Sequence, residues 1–375
     1  MPTDFSAALR FEHRFSWAGI LGRETTTPGP ILIPCVAGRR VLVTGAGGFI
    51  GSEMVRIFAA SGASQISLLE IAEQPLFAVE REMTACGFGD RCIPILGSVC
   101  DRVLLTALFG EHRPELVLHA AALKHVPLME RNPFGAVETN SVGTWLLAQV
   151  AHKHRVRNMI LISTDKAVAP HSIMGASKRI AELAILAHPG FAAVRLVNVI
   201  GSPGSVAPLF AEQIARAGPV TVTHPAARRF FLTLDEVVAH LAEAIAAESA
   251  EGILIPDPGE PILIADLARR MIAASSPHAR EAHDIAIVFS EPRPGDKLNE
   301  SLLSSGESDA DRPTRALRRV ASPAASGLDA HIRSLESAIA ARDLPLLLHL
   351  VEELVPDYQP SALLHGLASA FTLAR

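Results

Sequence analysis

The stretch VLVTGAGGFIGSE (41–53) restricts the fold more than any other part of the chain: an apolar run enters a glycine-spaced turn and leaves it as a helix-like segment. Gly45, Gly48 and Gly51 recur in it at three-residue intervals. Glycine allows a tight turn and a close approach of backbone N–H groups. The first residues of the following helix, Phe49, Ile50 and Gly51, can then face a pyrophosphate, with the helix dipole favouring its charge. A glycine triplet alone fits a purely structural turn equally well. Context raises it: a strand precedes, a helix follows, and ISLLE (66–70) reads as a second strand ending on Glu70, an acid that can accept hydrogen bonds from adenosine ribose hydroxyls. The charge of Glu70 would repel a 2′-phosphate, and Ile71 and Ala72 follow it where an arginine would serve NADP. NAD is therefore the expected cofactor, with NADP the less favoured one.

The rest of the chain supplies the sheet that such a turn requires. IPILGSV (93–99), ELVLHAA (115–121), NMILIST (158–164) and FAAVRLV (191–197) are further apolar runs separated by helical stretches. This alternation implies crossover connections and a parallel sheet covered on both faces. The expected fold is α/β, a Rossmann-type doubly wound sheet with a smaller C-terminal substrate-binding lobe. Its expected divisions are an N-terminal extension and linker over 1–38, with TTTPGP at 25–30, and an NAD-binding domain over 39–200. A substrate-binding lobe with elements returning to the main domain follows over 201–305, including the extended PVTVTHP (219–225). From 306 to 375 a helical segment is expected to pack on the surface.

Composition narrows the functional classes. Of 375 residues, 49% are hydrophobic and 5% aromatic, which suits an aliphatic interior of helices on sheets. A net charge of −5 gives no basic signature for nucleic acid, although local arginines can still hold a phosphorylated small molecule. Cys35, Cys86, Cys92 and Cys100 form no C-x-x-C pair, so reduced thiols are expected rather than disulfides or zinc, and no metal is expected. The N-terminus carries charges throughout and has no uninterrupted apolar segment, so neither a signal peptide nor a membrane span is expected and the cytoplasm is the default.

One stretch, STDKAVAPHSIMGASK (163–178), is unusual. A strand ending in Ser-Thr, then a loop, then a lysine four residues after a marked position resembles the Tyr-x-x-x-Lys presentation of a short-chain dehydrogenase. Here Met174 stands at the tyrosine's position, and the chain's one tyrosine is the distant Tyr358. Further segments follow in register: HAAALKHVPLMERNP (119–133), ETNSVGT (138–144), GSVAPLFAEQI (204–214), GPVTVTHP (218–225), RFFLT (229–233) and RPGDKL (293–298). With the glycine turn they occur in the order seen in nucleotide-sugar 4,6-dehydratases, extended short-chain dehydrogenase/reductases of bacterial polysaccharide biosynthesis. The likeness runs from about Leu21 to Pro356 and is greatest to the branch with methionine for tyrosine, typified by enzymes acting on UDP-N-acetylglucosamine and often fused to membrane helices. SWAGILGRE (16–24) resembles the junction before that branch's catalytic part, and a soluble enzyme is the expected form.

The resemblance implies an internal redox elimination. Hydride leaves sugar C4 for NAD⁺, the ketone acidifies C5–H, water is lost across C5–C6, and the hydride returns to C6. It implies Asp165 as the acid that protonates the departing 6-hydroxyl and Lys166 as the base at C5. Lys178 is implied at the nicotinamide ribose and Thr164 beside O4, with Met174 shaping the pocket. A lysine base needs a lowered pKa, from burial or a neighbouring cation. Without the phenol, the 4-hydroxyl proton is expected to leave through Asp165, or through a water held by Thr164 and Lys178. Ser98, Val99, Ala120 and Ala121 are implied on the cofactor side, Ser98 replacing an aspartate common in the family. Val197 and Ala169 are further departures, at positions often filled by glycine and asparagine. Lys124, His125, Asn198, Ser205, Arg229 and Arg293 are the implied contacts of a UDP-sugar, the two arginines as phosphate binders. Asn140 is expected on a long helix, bracing the catalytic loop. The helices after Asn132 and Met174 resemble those that pair short-chain dehydrogenases into dimers, so a homo-oligomer is expected by analogy. A C5-inverting dehydratase, a 4-epimerase and a catalytically silent NAD-binding scaffold remain as alternatives.

Overall fold

The apolar runs become strands of one sheet in the computed structural model, which describes residues 15–25, 29–247, 251–275, 285–323 and 326–373. Residues 1–14 of the expected extension, and 26–28 of its TTTPGP stretch, lie outside the described residues. The strands are β1 (Arg40–Thr44), β2 (Gln65–Glu70), β3 (Cys92–Leu96), β4 (Leu116–His119), β5 (Asn158–Thr164), β6 (Phe191–Leu196), β7 (Gly252–Pro256), β8 (Ser308–Asp311) and β9 (Leu317–Ala321). They lie in the order β8-β9-β7-β6-β5-β4-β1-β2-β3. Neighbours from β3 across to β7 are parallel, with Val41 opposite both Ile66 and Leu116. The order reverses between β1 and β4. In such sheets ligands bind outside the carboxyl ends of the strands at that switch point.

Both faces are covered because each strand alternates its side chains between two apolar clusters. Val41 and Val43 face one, with Met54 and Phe58 of helix α1 (Phe49–Ala60); Leu42 faces the other, with Trp145 of α2 (Gly143–Lys153) and Ile180 of α3 (Ile173–Leu186). The start of α3 is set by Ser172, whose side chain caps the N–H of Gly175. A third cluster builds the lobe from Ile200, Phe210, Val220, Val222, Leu267 and Met271. The segment expected as part of the linker joins it: the helix Trp17–Leu21 contributes Ile20 and Leu21, and Arg23 grips Glu236 at 2.6 and 2.9 Å.

The region after 306 corrects the helical expectation. It opens with β8 and β9, which add an antiparallel hairpin to the sheet through β7. Leu317 and Val320 face inward, while Arg318 and Arg319 pair with Asp309 and Asp311, so the Ser/Asp/Arg composition belongs to a charged sheet edge. The helices that follow, α4 (Leu328–Ala340), α5 (Leu344–Leu354) and α6 (Ala362–Leu373), turn apolar residues inward and leave other positions to solvent. Leu335, Leu347 and Val351 share a core cluster with Trp145 and Ile180, and Trp145 Nε1 donates to Asp329 at 2.8 Å. The helices expected to pair two copies are thus covered by the chain's own C-terminal helices.

Candidate active site

The carboxyl ends of β1, β2 and β4 shape the first half of the site. Gly45, directly after β1, has φ 66°, and a Cβ there would come within 2.8 Å of the Ala120–Ala121 backbone. Gly48 caps α1 with no side-chain hydrogen bond, leaving the first N–H groups of the helix to a ligand. The Glu70 carboxylate accepts from Gly47 N at 3.1 Å, Ile71 N at 2.9 Å and Ala72 N at 3.2 Å, which fixes it beside the glycine turn. Ser98 Oγ accepts from Cys100 N, and Val99 packs where a Cβ on Gly143 would intrude. This cradle, with backbone donors and a fixed acid, fits a dinucleotide. A Cβ on Gly51 would lie 2.1 Å from the Gly45 carbonyl oxygen. Gly51→Ala is therefore expected to displace the turn and weaken dinucleotide binding at least about tenfold, roughly 1.4 kcal/mol, while circular dichroism stays unchanged; an unaltered Kd in a calorimetric titration would refute this.

The end of β5 supplies the second half. Thr164 Oγ1 donates to Asp165 Oδ1 at 3.1 Å, and Lys166 Nζ donates to the same oxygen at 3.0 Å and to Asn198 Oδ1 at 3.1 Å. Asn198 in turn donates to Phe230 O at 3.1 Å, so its amide orients Lys166. Asp165 is fully buried, and its Oδ2 accepts no hydrogen bond from any described residue. Burial pulls the Lys166 pKa down, but Asp165 and Glu300 outweigh it and hold the ammonium above the ordinary lysine value. The expectation of a lowered Lys166 pKa is thereby corrected. Burial does depress Lys178, to about 8 with Glu182 opposing, and its Nζ donates to Ile162 O at 2.7 Å.

Met174 lies on α3 one turn before Lys178, buried in apolar surroundings. Tyr358 does not replace the absent phenol: burial, reinforced by Glu130 and Glu352, pushes its pKa up and holds it neutral within the C-terminal packing. Asn140 sits in a π turn (Glu138–Val142) leading into α2, exchanges hydrogen bonds with the Leu123 backbone at 2.8 and 2.9 Å, and donates to Ser177 Oγ. It thus ties the loop after β4 to α3.

Beyond the end of β4, Lys124, His125 and Arg293 converge. Lys124 Nζ donates to Pro203 O at 3.1 Å, and the His125 ring lies where a Cβ on Gly204 would stand. Burial first, then Lys124 and Arg293, lower the His125 pKa. Next to this corner Ser205 Oγ is buried without a hydrogen-bond partner among the described residues. The Arg229 guanidinium donates to the carbonyls of Arg228, Leu298 and Lys297 at 2.6–2.9 Å and so braces the RPGDKL loop. Sequence reasoning missed Glu300, which stands beside this loop against Lys166, and the buried Glu182 one turn beyond Lys178. The signal for Glu300 was its place just past the RPGDKL motif.

Residues 41–321 match a family described as "Polysaccharide biosynthesis protein". The capsular polysaccharide biosynthesis protein CapD of Staphylococcus aureus is 40% identical over 297 residues, 77% of this chain and 49% of that protein. The probable polysaccharide biosynthesis protein EpsC of Bacillus subtilis is 41% identical over 301 residues, 78% and 50%. The chain spans about half the length of these two relatives. A UDP-glucose 4-epimerase of Rickettsia canadensis is 34% identical over 203 residues, 52% of this chain and 57% of that one. Among solved structures, Pen from Bacillus thuringiensis superposes with a TM-score of 0.65 at 28% identity, covering 72% of this chain and 83% of that one. The DesIV dTDP-glucose 4,6-dehydratase of Streptomyces venezuelae shares the fold, with a TM-score of 0.60 at 23% identity over 70% and 88%. The matched region takes in the whole parallel part of the sheet, and the chain belongs to the polysaccharide biosynthesis protein family, on the Rossmann-type fold of the extended short-chain dehydrogenase/reductases.

Proposed function

We propose that the chain is a nucleotide-sugar 4,6-dehydratase that uses NAD and converts UDP-N-acetylglucosamine to its 4-keto-6-deoxy product with retention at C5. The single observation that carries the reading is the Thr164–Asp165–Lys166–Asn198 chain of hydrogen bonds at the carboxyl end of β5. The glycine turn and Glu70 would hold the dinucleotide, with the fixed acid favouring NAD over NADP. Bound there, NAD supplies the acceptor, and later the donor, of one hydride.

The chain's own groups handle the protons. The Thr164 hydroxyl donates to Asp165, so it can pass the 4-hydroxyl proton to that carboxylate without a tyrosine. The proton then resides on the acid that must protonate the departing 6-hydroxyl. Asp165 Oδ2, buried and free of hydrogen bonds, is the oxygen available to deliver it. Lys166 takes the C5 proton and returns one to the same face. Lys124 and Arg293 offer cationic contacts for the diphosphate, with the neutral His125 ring between them.

The test is to incubate the purified protein with UDP-N-acetylglucosamine and NAD in heavy water and follow the sugar by NMR. A 4-keto-6-deoxy product with deuterium at C5 is expected; a product without solvent deuterium at C5 refutes the Lys166 role. A second reading, a UDP-sugar 4-epimerase, draws on the relative bearing that name. It predicts an inverted C4 hydroxyl and no loss of water in the same experiment.

A further inference from the structure

Glu300 follows RPGDKL on a segment that is neither helix nor strand, yet its side chain is 3% exposed. Oε1 stands 3.8 Å from Arg229 Nε and Oε2 stands 3.8 Å from Lys297 Nζ, too far for hydrogen bonds, and Oε2 accepts none from any described residue. Buried carboxylate oxygens are normally hydrogen-bonded, so a bare one points to an occupant. Glu300 and Lys166 line the same small cavity, whose space for water centres is about 10 Å³, the room of a single water. His171, Ser172, Asp296 and Lys297 complete its polar wall.

The dehydratase reading leaves one proton without a place. Asp165 is occupied by the proton passing from O4 to O6, and Lys166, held as an ammonium, cannot accept hydrogen from carbon. A second acceptor must lie within reach of Lys166. We propose that Glu300 is a positioning residue for C5 deprotonation, receiving the Lys166 ammonium proton through one water in this cavity and returning it when the cycle closes. An N–H bond of the ammonium breaks and a carboxyl O–H forms, giving a neutral amine and a neutral acid with no change in net charge. The amine then takes the C5 proton. After it has given a proton back to C5, Glu300 restores the ammonium. The inference rests on the dehydratase reading.

The acid's side of the pair favours the transfer, whereas Asp165 holds the Lys166 proton against it. Burial, with Asp165, raises the Glu300 pKa against the opposing pull of Lys166, Arg229 and Lys297. A raised carboxyl beside a lysine is the arrangement in which excluding water favours the neutral pair.

Two readouts test this on the full chain. In the free protein, acetic anhydride labelling of Lys166, followed by mass spectrometry, is expected to quicken about tenfold at pH 8 in E300Q, because the ammonium loses a neighbouring charge. In turnover, E300Q is expected to lose about 10²-fold at pH 7 and to recover roughly tenfold per pH unit, since Lys166 must then shed its proton to solvent. Wild type stays flat over the same range. E300D, which keeps the carboxylate, should retain the flat profile, and it carries the test if E300Q does not fold. Unchanged Lys166 labelling, or an E300Q profile parallel to wild type, overturns the proposal. Shifted labelling in a chain that forms no keto sugar supports the Lys166–Glu300 pairing and refutes the dehydratase reading instead.

Discussion

Lys166→Ala is expected to slow formation of the 4-keto-6-deoxy nucleotide sugar by about 10²–10⁴-fold, while Met174→Leu stays near wild type. The asymmetry follows from what each side chain touches. The Lys166 amine sits between Asp165 Oδ1 and Asn198 Oδ1 and borders the cavity shared with Glu300, so truncation removes the acceptor for the C5 proton and leaves Asp165 without its cation. Met174 presents a thioether buried in an apolar cluster, and leucine conserves its volume at a cost below about 1.5 kcal/mol. Lys166→Arg separates charge from basicity: the guanidinium keeps the positive charge and cannot be deprotonated, so it should preserve the fold and nucleotide-sugar binding without restoring turnover. Single-turnover NMR in heavy water checks all three. Comparable losses in the Met174 and Lys166 variants, or an active Lys166→Arg, would contradict the assignment.

What could be read in the sequence divides along physical lines. Parallel strands buried on both faces appear as unbroken apolar runs, and for that reason β1 to β6 stand out without any knowledge of their partners. The glycine turn is legible because its constraints are local: the Gly51 Cβ would strike the Gly45 carbonyl only six residues away. β8 and β9 were not legible, since a sheet edge carrying Asp309, Asp311, Arg318 and Arg319 has the composition of a loop. The bracing contacts of Asn198 and Arg229 were not legible because their partners are backbone groups and a lysine distant in sequence. The charge state of Lys166 was legible only in part: Asp165, the larger influence holding the ammonium, adjoins it in sequence, whereas Glu300 is brought near only by the folded chain.

Arg195→Ala is expected to destabilise the protein by about 3–5 kcal/mol, the cost of breaking a buried ion pair by removing one partner. The Arg195 side chain is fully buried, as are those of Glu182 and Glu307. Its guanidinium binds Glu182 at 2.7 and 3.0 Å, Glu307 at 2.8 and 3.1 Å, and the carbonyl of Leu302 at 2.8 Å. Arg179 adds contacts of 2.9 and 3.1 Å to the same two carboxylates, but alone it cannot neutralise both. The consequence reaches the site because Glu182 lies on α3, one turn beyond Lys178, and accepts from Ser163 of β5 at 2.6 Å. The network therefore fixes the helix bearing Lys178 against the strand that ends at Asp165 and Lys166. Acid should expose it. Although burial pushes the Glu307 pKa up, hydrogen bonds and charge from Arg195 bring it down to about 2, and the same guanidinium lowers Glu182. A carboxyl depressed in the folded state contributes stability above its unfolded value of about 4.5, and that contribution disappears as pH falls towards about 2. Without Arg195 both carboxyls rise towards the unfolded value, so the variant should be less stable near neutral pH yet lose less of its stability than wild type as pH falls from about 4.5 to about 2. Lysine should not rescue it, because a point charge cannot bridge two carboxylates in parallel pairs. Urea unfolding across pH 3–8 measures both effects; a loss under about 1 kcal/mol with an unmoved acid transition would show that the network neither holds the fold nor sets the geometry at the end of β5.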